Sequence, residues 1–148
     1  MDEDSLDLLS EGKWYASHSG HGKWYAKGFV KDKDGTKRRV YLHRFVMEVT
    51  SRIVEVDHIN GNTLDNRKCN LRLCSHRENI RNAKLSVRNK HGAKGVTIRK
   101  RSGRFRADIV VNGDQKFLGE FSNLEAAARA YDTAARKHFG EFAKTNFA

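Results

Sequence analysis

Between residues 53 and 83 the chain runs strand, Asx-rich loop, strand and capped helix, and this run constrains the fold more than any other stretch. Residues 53–58, Ile-Val-Glu-Val-Asp-His, are rich in β-branched side chains and read as a strand. From Ile59 to Asn70 the chain is dense in Asn, Asp and Gly. These residues tolerate positive φ and hydrogen-bond their own backbone, so the segment is a turn or loop. Leu71-Arg72-Leu73-Cys74 is the returning strand. Ser75 and Glu78 then form a capping box, in which the hydroxyl and the carboxylate each accept from the other residue's amide. A helix is expected from Ser75 to about Ala83.

The chemistry sits at the end of the first strand. Asp57 and His58 place a carboxylate beside an imidazole in a chain of net charge +11. Asn79 falls in the first or second turn of the capped helix, where it can face the strand end bearing Asp57. A carboxylate is a hard oxygen ligand for a cation such as Mg²⁺. An imidazole with a pKa near ~6.5 can take a proton from water at neutral pH. Positive charge holds a polyanion. Those three together are what attack on a phosphodiester requires. The Asp-His pair alone reads first as a polar turn with a hydrogen-bonded histidine. Asn70, the capping box and Asn79, in that order, point beyond a turn.

Asp57-His58-Ile59-Asn60-Gly61-Asn62, Asp65-Asn66, Asn70-Leu71-Arg72 and Glu78-Asn79 together resemble the HNH endonuclease motif, of the homing type carried by phages and introns. The similarity begins at about Tyr41 and runs to about Asn82. It implies a ββα-metal arrangement in which Asp57 and Asn79 hold the metal and His58 is the general base. Asn70 would orient the histidine and tie the loop. The implied cofactor is a divalent metal, Mg²⁺ first and Mn²⁺ as the alternative. His43-Arg44 matches a recurring pair of the same subgroup. His43 is either a hydrogen-bonded structural histidine or a substrate contact, and Arg44 could hold a phosphate. Cys69 and Cys74 would make half of a zinc site such as some relatives have. The second half is missing, so no structural zinc is expected.

Composition sets the outer bounds. At 148 residues the chain holds one ordinary domain or two small ones. Only 38% of residues are hydrophobic and 32% are charged, so any core is modest. With 29 Lys and Arg against 18 Asp and Glu, the expected partner is a nucleic acid, and double-stranded DNA before RNA. No apolar run approaches the ~18 residues of a membrane span, and no membrane partner is expected. Residues 1–11 form an acidic tail without the basic start of a signal peptide, and two cysteines make no disulfide framework. The reading is cytoplasmic, in a phage-infected bacterial cell by resemblance.

Ahead of the motif, Gly12-Lys13-Trp14-Tyr15-Ala16 recurs as Gly22-Lys23-Trp24-Tyr25-Ala26. The echo is too short for a solenoid repeat and suggests paired strands. A strand at 23–30, a turn at 32–35 and a returning strand at 37–42 complete a meander, with Trp14 and Trp24 as packing residues. His18 and His21 lie in a Gly/Ser loop and lack a third ligand for a metal. Leu42, Phe45, Val46 and Val49 have helical spacing.

Residues 84–94 form a basic linker, expected along the DNA backbone. From Gly95 the pattern becomes β. Val96, Ile98, Phe105, Ala107, Ile109 and Val111 fall on one face by period-2 reading, and Thr97, Arg99, Arg104, Arg106 and Asp108 on the other. Asn112-Gly113 marks a hairpin and Gln115 to Gly119 a third strand. Ser122 and Glu125 suggest a second capping box, opening an alanine-rich helix that stops at Gly140. This segment resembles an AP2 DNA-binding domain through Gly95-Val96, residues 117–121 (Phe-Leu-Gly-Glu-Phe), Glu125-Ala126-Ala127-Ala128, Tyr131-Asp132, Ala134-Ala135 and Asn146-Phe147. By that resemblance Arg99, Arg104 and Phe117 contact DNA, with Arg101 nearby in the turn and Arg106 on the same charged face. Thr97, Val110 and Gln115 stand where plant AP2 domains carry arginines.

The sequence therefore reads as an α+β protein: a tail at 1–11, a ββα-metal nuclease domain at 12–83, a linker at 84–94, and at 95–148 a three-stranded antiparallel sheet with a helix. The expected activity is metal-dependent DNA cleavage by a monomer. The competing reading is a non-catalytic DNA-binding regulator whose first half is only scaffold.

Overall fold

The computed structural model describes residues 10, 12–20, 22–82, 89 and 91–147. The chain divides into two compact units between Asn79 and Ile80. Most of the basic linker and nearly all of the acidic tail lie outside the described residues.

The first unit opens with a three-stranded meander, β1 (Lys13–His18), β2 (Trp24–Lys31) and β3 (Lys37–Tyr41), paired antiparallel in the order β1-β2-β3. The Trp-Tyr echo is two strands of one hairpin: Trp14 sits opposite Gly28, and His18 opposite Trp24. Gly28 is there for space. A Cβ on it would come within 2.5 Å of Trp14 Cε3 and 2.7 Å of the Lys13 carbonyl oxygen. Trp14 crosses that gap to pack on Phe45, ring centroids 5.3 Å apart. Trp24 does otherwise than expected: it is 52% exposed, with the His18 ring edge-on to it at 5.3 Å. The echo repeats composition, but the core reaches one indole of the two.

A one-turn helix, α1 (Leu42–Val46), follows, then β4 (Glu55–His58) and β5 (Leu71–Cys74), paired antiparallel. Leu42, Val46, Val56 and Leu71 form the core of this unit. The strand expected to begin at Ile53 begins at Glu55, and Ile53 is 87% exposed. A 3₁₀ turn (Lys68–Asn70) leads into β5. Helix α2 (His76–Arg81) starts from the expected capping box: the Ser75 amide donates to Glu78 Oε2 at 2.8 Å, and the Glu78 amide to Ser75 Oγ at 3.4 Å.

In the second unit β6 (Val96–Ile98), β7 (Phe105–Val111) and β8 (Asp114–Phe121) form an antiparallel sheet backed by α3 (Leu124–Phe139). Asn112 (φ 56°) and Gly113 (φ 97°) turn the hairpin, both in the left-handed region that a two-residue turn of this kind demands. Ala107, Val96, Ala127 and Ala128 are buried together, so the small side chains of α3 let it lie close on the sheet. Ile98, placed by alternation on the core face, is 41% exposed because β6 ends there. His138 is exposed, and Phe139 beside it is buried. The helix is capped by Asn123, whose Oδ1 accepts from the Ala126 amide at 2.8 Å, and not by Ser122. Glu125 instead takes Arg129, one turn on. Buried Asp132 accepts from the amides of Asn146 and Phe147, and Asn146 in turn exchanges hydrogen bonds with the backbone of Lys94. This clasp is what the Asn-Phe pair near the end of the chain does.

Candidate active site

β4 brings Asp57 and His58 to its end, and both are buried. Antiparallel register puts Arg72 of β5 opposite Asp57. The guanidinium donates to Asp57 Oδ2 from Nε at 3.0 Å and from Nη2 at 2.8 Å. A carboxylate so deep needs such a partner, because burying an unpaired charge costs several kcal/mol.

His58 is held by Asn66. The Asn66 amide nitrogen donates to the Leu64 carbonyl, which turns its Oδ1 to His58 Nε2 at 3.1 Å. An amide oxygen can only accept, so Nε2 carries the hydrogen and Nδ1 is the basic nitrogen. Burial pushes the His58 pKa below the ordinary imidazole value, against the upward pull of Asn66, Asp57 and Asp65. The ring is therefore neutral at neutral pH, as a base must be.

Asn70, expected to orient the histidine, spends its side chain on the loop. Its Oδ1 accepts from the Asn60 amide at 3.0 Å and its Nδ2 donates to the Asp65 carbonyl at 2.7 Å. It thus closes the loop that carries Asn66, and Asn66 touches the ring. Asp65 is bound by Arg67 and Asn60, and the Arg67 hydrogen bond first of all holds its carboxyl far below the usual range. Asn79 does not contact Asp57 but donates from Nδ2 to Glu55 Oε2 at 2.6 Å. Glu55 shares a strand face with Asp57, two residues along, and also takes His76 at 2.7 Å. With Nδ2 committed to Glu55, the Asn79 carbonyl oxygen is directed elsewhere. Glu55, Asn66 and Arg72 went unassigned in the sequence. Antiparallel pairing across the loop was the one signal that could have found Arg72.

Two further expectations meet the structure. Arg44 donates to the carbonyls of Val54 (2.9 Å), Val49 and Ser51, so it clamps the loop between α1 and β4 and has little left for a phosphate. His43 is the buried neighbour of His58, ring centroids 5.1 Å apart, with Tyr25 and Tyr41 around it. Cys69 is exposed and Cys74 buried, both as free thiols; burial pushes the Cys74 thiol up to about 11. No group of three or more His, Cys, Asp or Glu capable of holding a metal occurs among the described residues.

On the second unit Arg99, Arg104 and Arg106 share the sheet face away from α3. Arg99 pairs with Glu120 at 3.1 Å, and Arg104 donates to the Glu120 carbonyl. Arg106 grips Asp108 and lies 4.9 Å over the ring of Phe117, itself 58% exposed. Arg101 is exposed in the turn between β6 and β7. The face is basic but less bare than its arginines alone suggest, since Asp108 and, from further along the chain, Glu120 share it.

Comparison with known proteins places these features. The family described as HNH endonuclease matches residues 19–81. Over 97% of its length the chain is 31% identical to a protein of Acanthamoeba polyphaga mimivirus named an uncharacterized HNH endonuclease, covering 71% of it. It is 35% identical to Protein 3.8 of Escherichia phage T7 over 60% of this chain and 73% of that protein. A stretch of 54 residues is 48% identical to APETALA2-like protein 2 of Oryza sativa subsp. indica, 36% of this chain against 12% of the plant protein. No solved structure matches. The chain belongs to the HNH endonuclease family and is a nuclease with an AP2-like region.

Proposed function

We propose that this nuclease is a divalent-metal-dependent DNA endonuclease of the homing type, acting as a monomer, with His58 as general base. The observation that carries the reading is the Asn66–His58 pair, which holds a buried imidazole with its basic nitrogen at Nδ1. Mg²⁺ takes oxygen ligands and keeps several waters, and the Asp57 carboxylate and Asn79 amide oxygen are donors of that kind. Those two residues would hold the metal, with Mn²⁺ as the alternative occupant. When bound, it stabilises charge on the phosphate and the leaving 3′ oxygen. His58 accepts the proton of the attacking water at Nδ1. Arg72 holds the Asp57 carboxylate in place, and Asn70 keeps the loop from moving Asn66 off the ring.

A small ββα site has little area for affinity. The basic sheet of the second unit, through Arg99, Arg101, Arg104, Arg106 and Phe117, is read as supplying it to double-stranded DNA. The test is conversion of supercoiled plasmid to nicked circle in Mg²⁺. Wild type nicks, His58→Ala loses about 10²-fold or more, and chelator abolishes the reaction. A protein that binds the plasmid and leaves it intact in Mg²⁺, Mn²⁺ and other divalent ions would overturn the reading.

A further inference from the structure

The first sheet has a second face that the nuclease reading does not use. Trp14 and Ala26 point to the core around Leu42 and Val46. The opposite face follows from the two-residue period and the register. One row across the strands is Lys13, Phe29, Arg39; the next is Tyr15, Lys27, Tyr41. Aromatic and basic side chains thus alternate both along and across the strands. Lys31 and Lys37 pair at one end of the sheet, and none of the three strands contains a carboxylate.

The rings are open to solvent. Tyr15 and Phe29 are 44% and 48% exposed, with centroids 6.5 Å apart and planes inclined by 30°. The Lys27 ammonium lies 4.8 Å from the Tyr41 ring centroid. The face also leads to the reacting end of the unit. Tyr25, beside Tyr41 at 5.7 Å, is 6.4 Å from the His58 ring.

We propose that this face binds single-stranded DNA, with bases stacked on Tyr15 and Phe29 and phosphates on the surrounding lysines and Arg39. A duplex hides its base faces and offers groove edges and phosphates, which arginine, asparagine and glutamine read. An unpaired strand offers ring faces, and every base has one. Exposed aromatics set among lysines match the second substrate. The strand would run toward His58, so the enzyme acts where nucleotides are unpaired or splayed. That direction rests on the preceding assignment of His58; the binding does not.

The experiment uses the full chain carrying His58→Ala, in chelator, titrated against a fluorescein-labelled strand of ~12 nucleotides and against the same sequence as a blunt duplex. Adding Tyr15→Ala and Phe29→Ala should weaken strand binding about tenfold or more while duplex affinity stays within about twofold. Tyr15→Trp with Phe29→Trp should retain strand binding and show tryptophan quenching by the strand, though not by the duplex. Equal strand affinity with and without the two alanines overturns the proposal, as does parallel loss on both DNAs. Should the alanine variant fail to fold, unquenched tryptophans in the second variant overturn it as well. If the wild-type chain binds the strand this way but nicks no plasmid in Mg²⁺, the nuclease assignment of His58 sinks and this one stands.

Discussion

His43 shows how burial sets protonation at the residue scale. It is 8% exposed, and its Nδ1 is a buried side-chain atom without a hydrogen-bond partner. Burial first, then the nearby His58 and Arg44, push its pKa down to about 3. In the unfolded chain the same imidazole binds a proton near ~6.5. Between those values the unfolded state holds the extra proton, so stability is full above about pH 6.5 and falls as pH drops toward 3. We expect the urea midpoint to fall from pH 7 to pH 4.5, and His43→Phe to flatten that fall. An equally steep fall in the variant would mean other groups govern it. His58, shifted in the same direction, should keep kcat/KM on its plateau to a pH below the ordinary imidazole value. Residue types at this scale were legible in the sequence; partners were less so. Asp57 and His58 stand out by adjacency, whereas Asn66 acts on the ring only because Asn70 has closed the loop. Arg44 looks like a phosphate ligand until three carbonyls are seen to occupy it.

Elements were read well wherever a local rule decided them. The Ser75–Glu78 box, the Asn112-Gly113 turn and the stop at Gly140 each rest on backbone geometry that a few residues dictate. The same Ser-x-x-Glu pattern misleads at Ser122, because Asn123 is an equally good cap and stands directly before Leu124. Replacing Asn123 by Ala should cost about 1 kcal/mol, and replacing Ser122 by Ala close to nothing. Thermal unfolding of both variants checks it, and reversed costs would restore Ser122 as the cap. Packing is harder to foresee. Gly28→Ala should destabilise by about 1–3 kcal/mol through the clash with Trp14 and the Lys13 carbonyl. Denaturant melts that match wild type would show that the indole simply moves aside.

Across the whole molecule the sequence marked a change of pattern at Gly95, where the basic linker gives way to alternating residues. It did not disclose the open aromatic face of the first sheet, since exposure depends on what fails to cover a ring. Charge was easier, and it makes a prediction of its own. If the AP2-like sheet holds phosphates, duplex affinity should fall steeply with salt, at a slope of about −0.9 per phosphate neutralised. Substituting exposed Arg101 by Ala should lower that slope by about one. A binding curve indifferent to salt would leave the arginine face as mere solubilising surface.

The order of strands has one more consequence. In each of the three sheets neighbours in space are neighbours in sequence: β1-β2-β3, β4-β5 and β6-β7-β8. Among the described residues no strand waits for a partner from a distant part of the chain, so each of these sheets can zip as it leaves the ribosome, and loop-closure entropy stays small. A nuclease assembled this way needs little time with its strand edges bare. Stopped-flow refolding of the full chain should finish its main phase well within about a second.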